Sequence, residues 1–521
     1  MGLLLKRPEG EEGAAWPAIC VGLFAAFGGI LYGYDTGTIA GIQNMTAWKQ
    51  QFFPNDPGTP PSSEISLIVS ILSVGTFFGA LLAGIIADIL GRKWGIIVSA
   101  MIPFNLGVAL QTGAFHKSTF IAGRFFAGMG VGLVSVQVPM FQSETLPKWI
   151  RGFIVGAYQL AITLGLFIAA LVNYGTENRS DSSAYRIPLG IQFAWAFILC
   201  GGLAFLPETP RYLIKCGKDH QAIKSLTRLR RLPADHPAIQ AEFEEIKGNY
   251  EYEKSLGSSS YIDCFRGNIG KRTLTGIGLQ CLQQLVGVNF IFYYGTTYFS
   301  SAYGPALPAP FILQIITNVV NVVSTFPGLW AIDALGRRTV LLIGALGMGI
   351  SQYLVAILGV ATNQDNNSSA RAQFAFICIY IFFFASTFGP GAWVVTGEIF
   401  PLKVRAKCLS MTTASNWLFN WLLSFITPYL TGAQYANLGT NVFWIWGGFC
   451  WIAVVFVWAL IYETKNTTLE QVNELYDNVK FAWKSPAYKH QLQDRRWSVT
   501  GAEGEKAEKV EDGDVTRKES L

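Results

Sequence analysis

The chain of 521 residues is 51% hydrophobic and only 14% charged, with a formal net charge of +5. A soluble domain carries about 25% charged residues, so this composition excludes an ordinary soluble protein and indicates a chain covered by lipid. The small and scattered positive charge does not indicate a nucleic-acid partner. The eight cysteines show no metal-ligand spacing, and the sequence predicts neither a metal nor a cofactor.

The chain begins with a short polar segment. Residues 1–16 contain acidic residues and no small-residue cleavage pattern, so we predict a cytosolic N-terminus followed by a retained first helix. Apolar runs of the ~20 residues that cross a bilayer then recur. The first six predicted helices, span 1 to span 6, cover 17–42, 63–90, 94–115, 118–144, 152–174 and 186–206. They form a predicted N-terminal half, 17–206.

A polar segment separates this half from a second one. Residues 207–270 are charged, helix-prone and too polar to enter a bilayer, which predicts a cytosolic helical linker. The next six helices, span 7 to span 12, cover 271–301, 308–334, 338–361, 371–401, 405–431 and 439–462. They form a C-terminal half, 271–462, followed by a predicted cytosolic tail, 463–521, disordered at its end. The predicted fold is an all-α polytopic membrane protein with twelve transmembrane helices in two six-helix halves.

The loops predict an orientation. Lys and Arg are enriched in the short loops on the side of the termini, which places both termini in the cytosol. Four asparagines on the opposite side begin glycosylation-type triplets, which are common by chance: Asn44, Asn178, Asn366 and Asn367. We expect a multi-pass protein of the plasma membrane, with these asparagines as glycosylation candidates.

One set of charged motifs occurs in both halves. Residues 84–93 read GIIADILGRK and residues 333–338 read DALGRR, and each is followed by a Glu and an Arg seven positions apart and then by a further acid. The repeated set comprises Asp88, Arg92, Glu144, Arg151, Glu208 and Arg211, and Asp333, Arg337, Glu398, Arg405 and Glu463. Two six-helix halves with a midplane site between them are typical of alternating-access transporters. We predict that these charges form a cytosolic gate whose ion pairs latch the halves together in one state; the alternative is that they only anchor the helix ends.

These motifs resemble those of the sugar porter family of the major facilitator superfamily. The resemblance rests on the GRK and GRR loops, the two E-x6-R segments, PETPR at 207–211 and ETK at 463–465, and it extends over roughly residues 17–480. Fungal hexose transporters are the nearest in character. The resemblance implies a transporter and not an enzyme. Such a transporter lies in the lipid bilayer and moves a monosaccharide by alternating access. We expect one chain to be the working unit.

Neutral polar side chains inside the apolar spans are the candidates for holding a sugar, because its hydroxyls need donors and acceptors and its ring an aromatic face. The candidates are Gln159, Gln280, Gln283, Gln284, Asn289, Asn321, Trp393, Asn416 and Asn420. A helix rises about 1.5 Å per residue, which places Gln283, Asn321 and Asn416 about 16–20 Å from the inner ends of their spans. Their depths therefore converge near the midplane, although such amides can also serve only as hydrogen bonds between helices.

Span 7 needs a break if all its amides are to face one site. Asn289 lies about 140° around an ideal helix from Gln284, so it can join only if the helix opens near Gly287. The resemblance implies this break and sugar contacts at Gln159, Gln283, Gln284, Asn289, Asn321, Trp393 and Asn416, with Gln280, Tyr294 and Asn420 as lesser candidates. Ala385 departs from the Glu of some mammalian relatives, which leaves the hydroxyl preference open.

One acid and one base inside the membrane predict coupling to protons. Asp35 lies about 10 Å from the outer end of span 1 and Arg124 about 9 Å from the outer end of span 4, so the two can pair. Arg favours the ionised carboxylate, and separating the pair favours its protonation. Proton-coupled members of the family have this Asp and Arg, whereas some fungal facilitators keep the Asp without evident coupling.

The sequence therefore predicts uptake of hexose, with glucose first, in symport with a proton. A hexose or xylose uniporter with a permanent Asp–Arg pair is the alternative, and a transporter-like glucose sensor is a candidate of another class. Neither a nucleotide-binding motif nor a catalytic constellation is present in the sequence.

Overall fold

The computed structural model describes residues 12–55, 60–147, 150–255, 260–303, 308–361, 367–401, 404–432, 434–465, 467 and 469–488. All regular elements in these ranges are helices, which confirms the predicted all-α fold class. Eleven of the helices are long and apolar enough to cross a membrane. Both ends of the described chain lie on the same side, which we call the inner side and which corresponds to the predicted cytosolic side.

The observed spans of the first half follow the prediction within a few residues. Spans 1 to 6 are Trp16–Ile42, Ser62–Leu90, Arg92–Thr112, Lys117–Thr145, Arg151–Thr176 and Ser183–Phe205. A short helix, Thr46–Phe52, follows span 1 on the outer side. Glycines bring spans 2 and 4 together, since a Cβ atom on Gly128 would lie 2.1 Å from the carbonyl oxygen of Leu72. Such small-residue contacts replace the hydrophobic driving force that is absent between helices in lipid.

The second half has one interrupted span and one polar span. Spans 7 to 12 are Gly267–Leu285 with Val288–Tyr303, Pro310–Leu335, Arg337–Ala361, Asn367–Glu398, Arg405–Thr431 and Val442–Leu460. Span 10 contains a π-helical turn at Phe384–Phe388, directly before Gly389 and Pro390. Span 11 is the one predicted span outside the eleven apolar ones. Its Ser410, Asn416 and Asn420 side chains form hydrogen bonds to other helices, whereas hydroxyls such as that of Ser415 bind carbonyls of the same helix.

The two halves meet along two helix pairs. Span 2 packs on span 11, and span 5 packs on span 8. The outer segment of span 7, Val288–Tyr303, contacts span 1. The candidate residues on spans 5, 7, 10 and 11 therefore surround a common space at the centre of the molecule.

The linker between the halves folds into a small helical bundle on the inner side. Its helices are Pro210–Lys215, Asp219–Arg230 and Pro237–Ser255. They bury a core that includes Leu213, Leu226 and Phe243. The described part of the linker is therefore mainly helical.

Part of the predicted tail is folded as well. Residues Leu469–Asn478 form a helix and Ala482–Lys484 a 3₁₀ turn. Leu475 and Tyr476 are buried in the same hydrophobic cluster as span residues such as Val457. The end of the tail, where the sequence predicts disorder, lies outside the described residues.

Candidate functional site

A cavity lies between the two halves near the middle of the spans. It encloses about 530 Å³ of empty space, counted with its open mouth. Its walls are formed by Tyr32, Thr36, Gln159, Ile162, Leu166, Gln283, Gln284, Val288, Asn289, Phe292, Phe384, Trp393, Asn416 and Trp417. Six of the nine predicted sugar-site residues are in this set: Gln159, Gln283, Gln284, Asn289, Trp393 and Asn416. Residues more than 250 positions apart in sequence thus meet at one depth.

The predicted break in span 7 is observed. The helix ends at Leu285 and resumes at Val288. Gly287 has a φ of +89°, and a Cβ atom there would lie 2.5 Å from Cγ of Trp446. Only glycine adopts this backbone conformation without strain. The break lets Asn289 donate a hydrogen bond to Oε1 of Gln284, so both amides face the cavity.

Asn416 of span 11 is the centre of the amide network. Its Nδ2 donates to Oε1 of Gln280 at 2.7 Å and to Oε1 of Gln283 at 2.8 Å. Its Oδ1 accepts from Nε2 of Gln284 at 2.9 Å. Nε2 of Gln283 in turn donates to the carbonyl of Phe388 in span 10 at 2.9 Å. The network therefore fixes three helices of the C-terminal half around the cavity.

Three predicted sugar-site residues are buried and are not part of the cavity wall. Gln280 binds Thr396 and Asn416 and is fully buried. Asn420 accepts hydrogen bonds from Ser73 at 2.6 Å and Tyr293 at 3.2 Å. Asn321 is buried, and among the described residues neither polar atom of its amide has a hydrogen-bond partner.

Tyr294, which was named beside Gln280 and Asn420 as a lesser candidate, is buried as well. Its hydroxyl donates to the carbonyl of Ser424 at 2.6 Å, and the residue is not part of the cavity wall. Its hydroxyl is thus directed to span 11 and away from the cavity.

Aromatic side chains complete the cavity, and sequence reasoning found only Trp393 among them. Tyr32 and Trp417 meet edge to face, with ring centroids 4.9 Å apart. Phe292 and Phe384 form further wall. Because aromatic residues are frequent in all the spans, no sequence signal separates these rings from lipid-facing ones.

The predicted pair of Asp35 and Arg124 is formed. Nη1 of Arg124 lies 3.0 Å from Oδ2 and 3.2 Å from Oδ1 of Asp35. Both side chains are at most 1% exposed. Asp35 directly precedes Thr36, which lines the cavity. Gln192 of span 6, which sequence reasoning missed, approaches the same carboxylate, although its amide does not satisfy hydrogen-bond geometry.

Charged side chains form a cluster at the inner end of the first half. Nε of Arg92 lies 3.1 Å from both carboxylate oxygens of Glu144. The Arg92 guanidinium also binds Asp88 at 3.2 Å. The hydroxyl of Thr209 donates to Oε2 of Glu144 at 2.6 Å. Spans 2, 3 and 4 and the start of the linker are thereby tied together.

The second half contains the same cluster. Nη2 of Arg337 lies 2.9 Å from Oε1 of Glu398, and its Nη1 lies 3.0 Å from Asp333. The hydroxyl of Thr464 donates to Oε2 of Glu398 at 2.6 Å. The sequence repeat is thus a repeat of contacts, including the threonine of the PETPR and ETK segments, which was not among the predicted gate residues.

A third acid in each half caps the start of an earlier helix, span 3 in the first half and span 9 in the second. Glu208 accepts from the backbone N–H of Lys93 at 3.1 Å, and Glu463 accepts from that of Arg337 at 3.1 Å. Gly91 and Gly336 precede these helices, each with a φ of +95°, and a Cβ on either would lie 2.5 Å from the capping carboxylate. Burial raises the pKa of Glu208, and its backbone hydrogen bonds oppose this shift.

Each described ion pair of the two clusters lies within its own half or joins that half to the linker, and none of these pairs crosses between the halves. Arg405 donates to the carbonyl of Phe400 at 3.2 Å. Arg211 is half-buried, and no ion pair to it is found among the described residues. The side chain of Arg151 lies outside the described residues. In this conformation the clusters stabilise each half separately.

On the outer side the halves are joined by neutral hydrogen bonds. Nε2 of Gln43 donates to the carbonyl of Tyr293 at 2.5 Å. Nδ2 of Asn44 donates to the hydroxyls of Thr296 at 2.8 Å and Thr297 at 3.0 Å. Span 1 and the outer segment of span 7 therefore close the outer end of the cavity.

These contacts bear on the glycosylation candidates. The Asn44 amide nitrogen, where a glycan would be attached, is occupied by two threonines of the other half. Asn178 and Asn367 are exposed, and Asn366 lies outside the described residues. The structure thus disfavours Asn44 as an acceptor in this conformation.

Comparison with known proteins gives the same picture as the motifs. The family model described as "Sugar (and other) transporter" matches residues 21–476. The chain is 57% identical over 498 residues to the major facilitator-type transporter ecdD of Aspergillus rugulosus, covering 92% of this chain and 91% of that protein. It is 48% identical over 495 residues to the probable glucose transporter rco-3 of Neurospora crassa, covering 92% and 82%. Among solved structures, the proton:xylose symporter XylE of E. coli bound to 6-bromo-6-deoxy-D-glucose has a TM-score of 0.75 and 26% identity, covering 89% of this chain and 100% of that one.

Proposed function

Because the chain belongs to the sugar (and other) transporter family, we propose that it carries hexose, with glucose first, into the cell across the plasma membrane in symport with a proton. The observation that supports this most is the cavity between the halves, where neutral amides and aromatic rings meet beside the buried Asp35–Arg124 pair. The proposed site comprises the six predicted residues of the cavity wall together with Tyr32, Trp417 and Asn321, which is buried and is not part of the wall.

Sugar recognition follows from the chemistry of the cavity wall. Gln159, Gln283 and Asn289 offer both donors and acceptors, and the sugar hydroxyls can exchange with the hydrogen bonds of the amide network. Trp393 supplies a flat face for the ring carbons. Asn321, which is not part of the wall, has unpartnered polar atoms, and a buried amide without a partner costs free energy. A hydroxyl that reaches it would remove this cost, so we include Asn321 in the proposed site.

Alternating access follows from a difference between the two ends of the cavity. Hydrogen bonds join the halves at the outer end, whereas the described ion pairs at the inner end do not. The neutral contacts at the outer end, such as Asn44 to Thr296, must break to admit sugar. They are few, and each is worth about 1 kcal/mol between membrane helices. The inner charge clusters stay inside their halves, so each half can move as a unit. The broken span 7 gives its outer segment freedom to move as a gate.

Proton coupling requires that Asp35 and Arg124 separate. Both residues belong to the same half, so rocking of rigid halves alone would leave the pair intact. Span 1 is, however, held by the outer segment of span 7 through Gln43 and Tyr293. Opening of that segment shifts span 1 against span 4 and frees the Asp35 carboxylate to accept a proton. This sequence links sugar entry to proton binding.

Facilitated diffusion of hexose or xylose is the second candidate. The pair of Asp35 and Arg124 is fully buried and doubly contacted, which favours a permanent structural role. A uniporter would keep this pair closed in every state. The two candidates share the same sugar site and differ only in whether the pair opens.

Uptake by purified protein distinguishes these candidates. We would reconstitute the chain and Asp35→Asn in liposomes and follow labelled glucose with and without an inward proton gradient. Accumulation above equilibrium that a protonophore and Asp35→Asn both abolish supports symport. Equilibration that ignores the gradient supports the uniporter. No glucose movement contradicts glucose transport and directs the test to xylose and then to glucose sensing.

A further inference from the structure

The folded part of the tail is held firmly against the inner ends of spans 7 and 12. The rings of Tyr462 and Tyr476 lie 4.2 Å apart, and the guanidinium of Arg272 lies 4.6 Å from the Tyr476 ring centroid. The hydroxyl of Tyr462 donates to the carbonyl of Val479 at 2.7 Å. These contacts hold the start of the segment 479–488 against the inner ends of the spans.

Beyond this point the tail forms an exposed aromatic stack with span 12. The rings of Trp458 and Trp483 are nearly parallel, with centroids 4.6 Å apart, and Phe481 stacks on Trp483 at 4.6 Å. Despite stacking, the three residues are 50%, 38% and 47% exposed. Trp458 lies two residues before Leu460, the end of the span. Trp is enriched at this level, where the hydrocarbon meets the lipid headgroups, and stacking places the two tail rings at the same level.

Positive charges flank the stack. Lys480 and Lys484 are exposed, and Nζ of Lys484 lies 6.0 Å from the Phe481 ring centroid. Residues 479–488 contain no Asp or Glu. Aromatic rings beside lysines at a membrane surface are the combination that attracts anionic lipids.

We propose that the surface formed by Trp458, Lys480, Phe481, Trp483 and Lys484 binds anionic phospholipid headgroups of the cytosolic leaflet. This goes beyond the proposed transport and rests only on the proposed orientation. The rings lie at the headgroup level, and the two ammonium groups contact phosphate and carboxylate groups.

Hydrogen bonds connect this surface to the charge cluster of the second half. The hydroxyl oxygen of Ser485 accepts a hydrogen bond from the backbone N–H of Glu463 at 3.0 Å. Glu463 in turn caps the start of span 9 at Arg337 and Arg338. Lipid that holds residues 480–488 in place therefore stabilises the inner end of this half.

The test compares thermal unfolding in vesicles of phosphatidylcholine alone and of phosphatidylcholine with phosphatidylserine. We would measure the wild type, Lys480→Gln/Lys484→Gln, and the control Lys218→Gln/Lys224→Gln on the linker bundle. Phosphatidylserine is expected to raise the Tm of the wild type and of the control, and not that of the tail variant. The tail variant should match the wild type in phosphatidylcholine alone, which shows that it folds.

Three results would overturn the proposal. The first is a tail variant whose Tm phosphatidylserine raises as much as that of the wild type. The second is a control variant that loses this rise in Tm to the same extent as the tail variant. The third is an equal rise in Tm when inorganic phosphate is added to phosphatidylcholine vesicles. The last result would indicate a soluble-anion site. Because unfolding is measured without sugar, these outcomes are independent of whether the chain transports hexose.

Discussion

Replacing Asn416 by alanine tests whether the amide network as a whole shapes the sugar site. Asn416 binds Gln280 and Gln283 through its nitrogen and Gln284 through its oxygen. Alanine removes these contacts and leaves two acceptors and one donor of the glutamines without a partner. The glutamines then lose the orientation in which they meet a sugar.

The structure sets the expected size of the effect. Hydrogen bonds between membrane helices contribute about 0.6–1 kcal/mol each, so the loss of three such bonds weakens the site by about 2 kcal/mol. Because 1.4 kcal/mol is a factor of ten in an equilibrium constant, the KM for glucose should rise about 30-fold. Ser415→Ala is the matched control, because the Ser415 hydroxyl donates to the carbonyl of Thr412 within its own helix.

The assay is the initial rate of labelled glucose uptake in proteoliposomes over a range of concentrations, with Tm measured for each variant. We expect Asn416→Ala to remain folded with a strongly raised KM and Ser415→Ala to behave as the wild type. A folded Asn416→Ala protein with a KM within twofold of the wild type would refute the role of the network.

Three further changes test other parts of the account. Gly287→Ala should lower the uptake rate at least tenfold, because the positive φ of Gly287 and the nearby Trp446 ring leave no room for a Cβ atom. Gly248→Ala is the control and should leave uptake unchanged, because there is open space around Gly248. Glu144→Gln and Glu398→Gln should lower the Tm by similar amounts, worth about 1–2 kcal/mol each, since the two clusters match; a large difference would contradict the repeat. Asn44→Gln should speed the opening of the outer end, measured by access of a non-permeant labelling reagent, and should leave any glycan mass unchanged.

Much of the site could be predicted from the sequence because polar side chains are expensive in lipid. An amide in an apolar span needs a partner, so Gln283, Gln284 and Asn416 stood out and their depths could be compared. Helix geometry made a break near Gly287 the condition for Asn289 to face the other amides, and the resemblance to sugar porters implied that break. Asp35 and Arg124 stood out because a charged side chain inside a membrane also costs free energy.

Other features had no such signal. Tyr32 and Trp417 line the cavity, but an aromatic ring costs nothing in lipid and its direction cannot be read from the sequence. The repeat identified the charged residues but not their partners, and the ion pairs found among the described residues lie within each half or reach the linker. Asn44 matched a glycosylation triplet, although its amide closes the outer end. Docking of the tail depends on rings such as Trp483 meeting span 12, a contact that only the folded chain reveals.

The most direct test of the central claim measures proton movement driven by sugar. Proteoliposomes containing a pH-sensitive dye, with no initial gradient of pH or voltage, would receive glucose from outside. The account predicts acidification of the interior by the wild type, loss of this signal in Asp35→Asn, and a weak signal at the same glucose concentration in Asn416→Ala. Glucose entry by the wild type without any change in internal pH would contradict the coupling of the Asp35–Arg124 pair to transport.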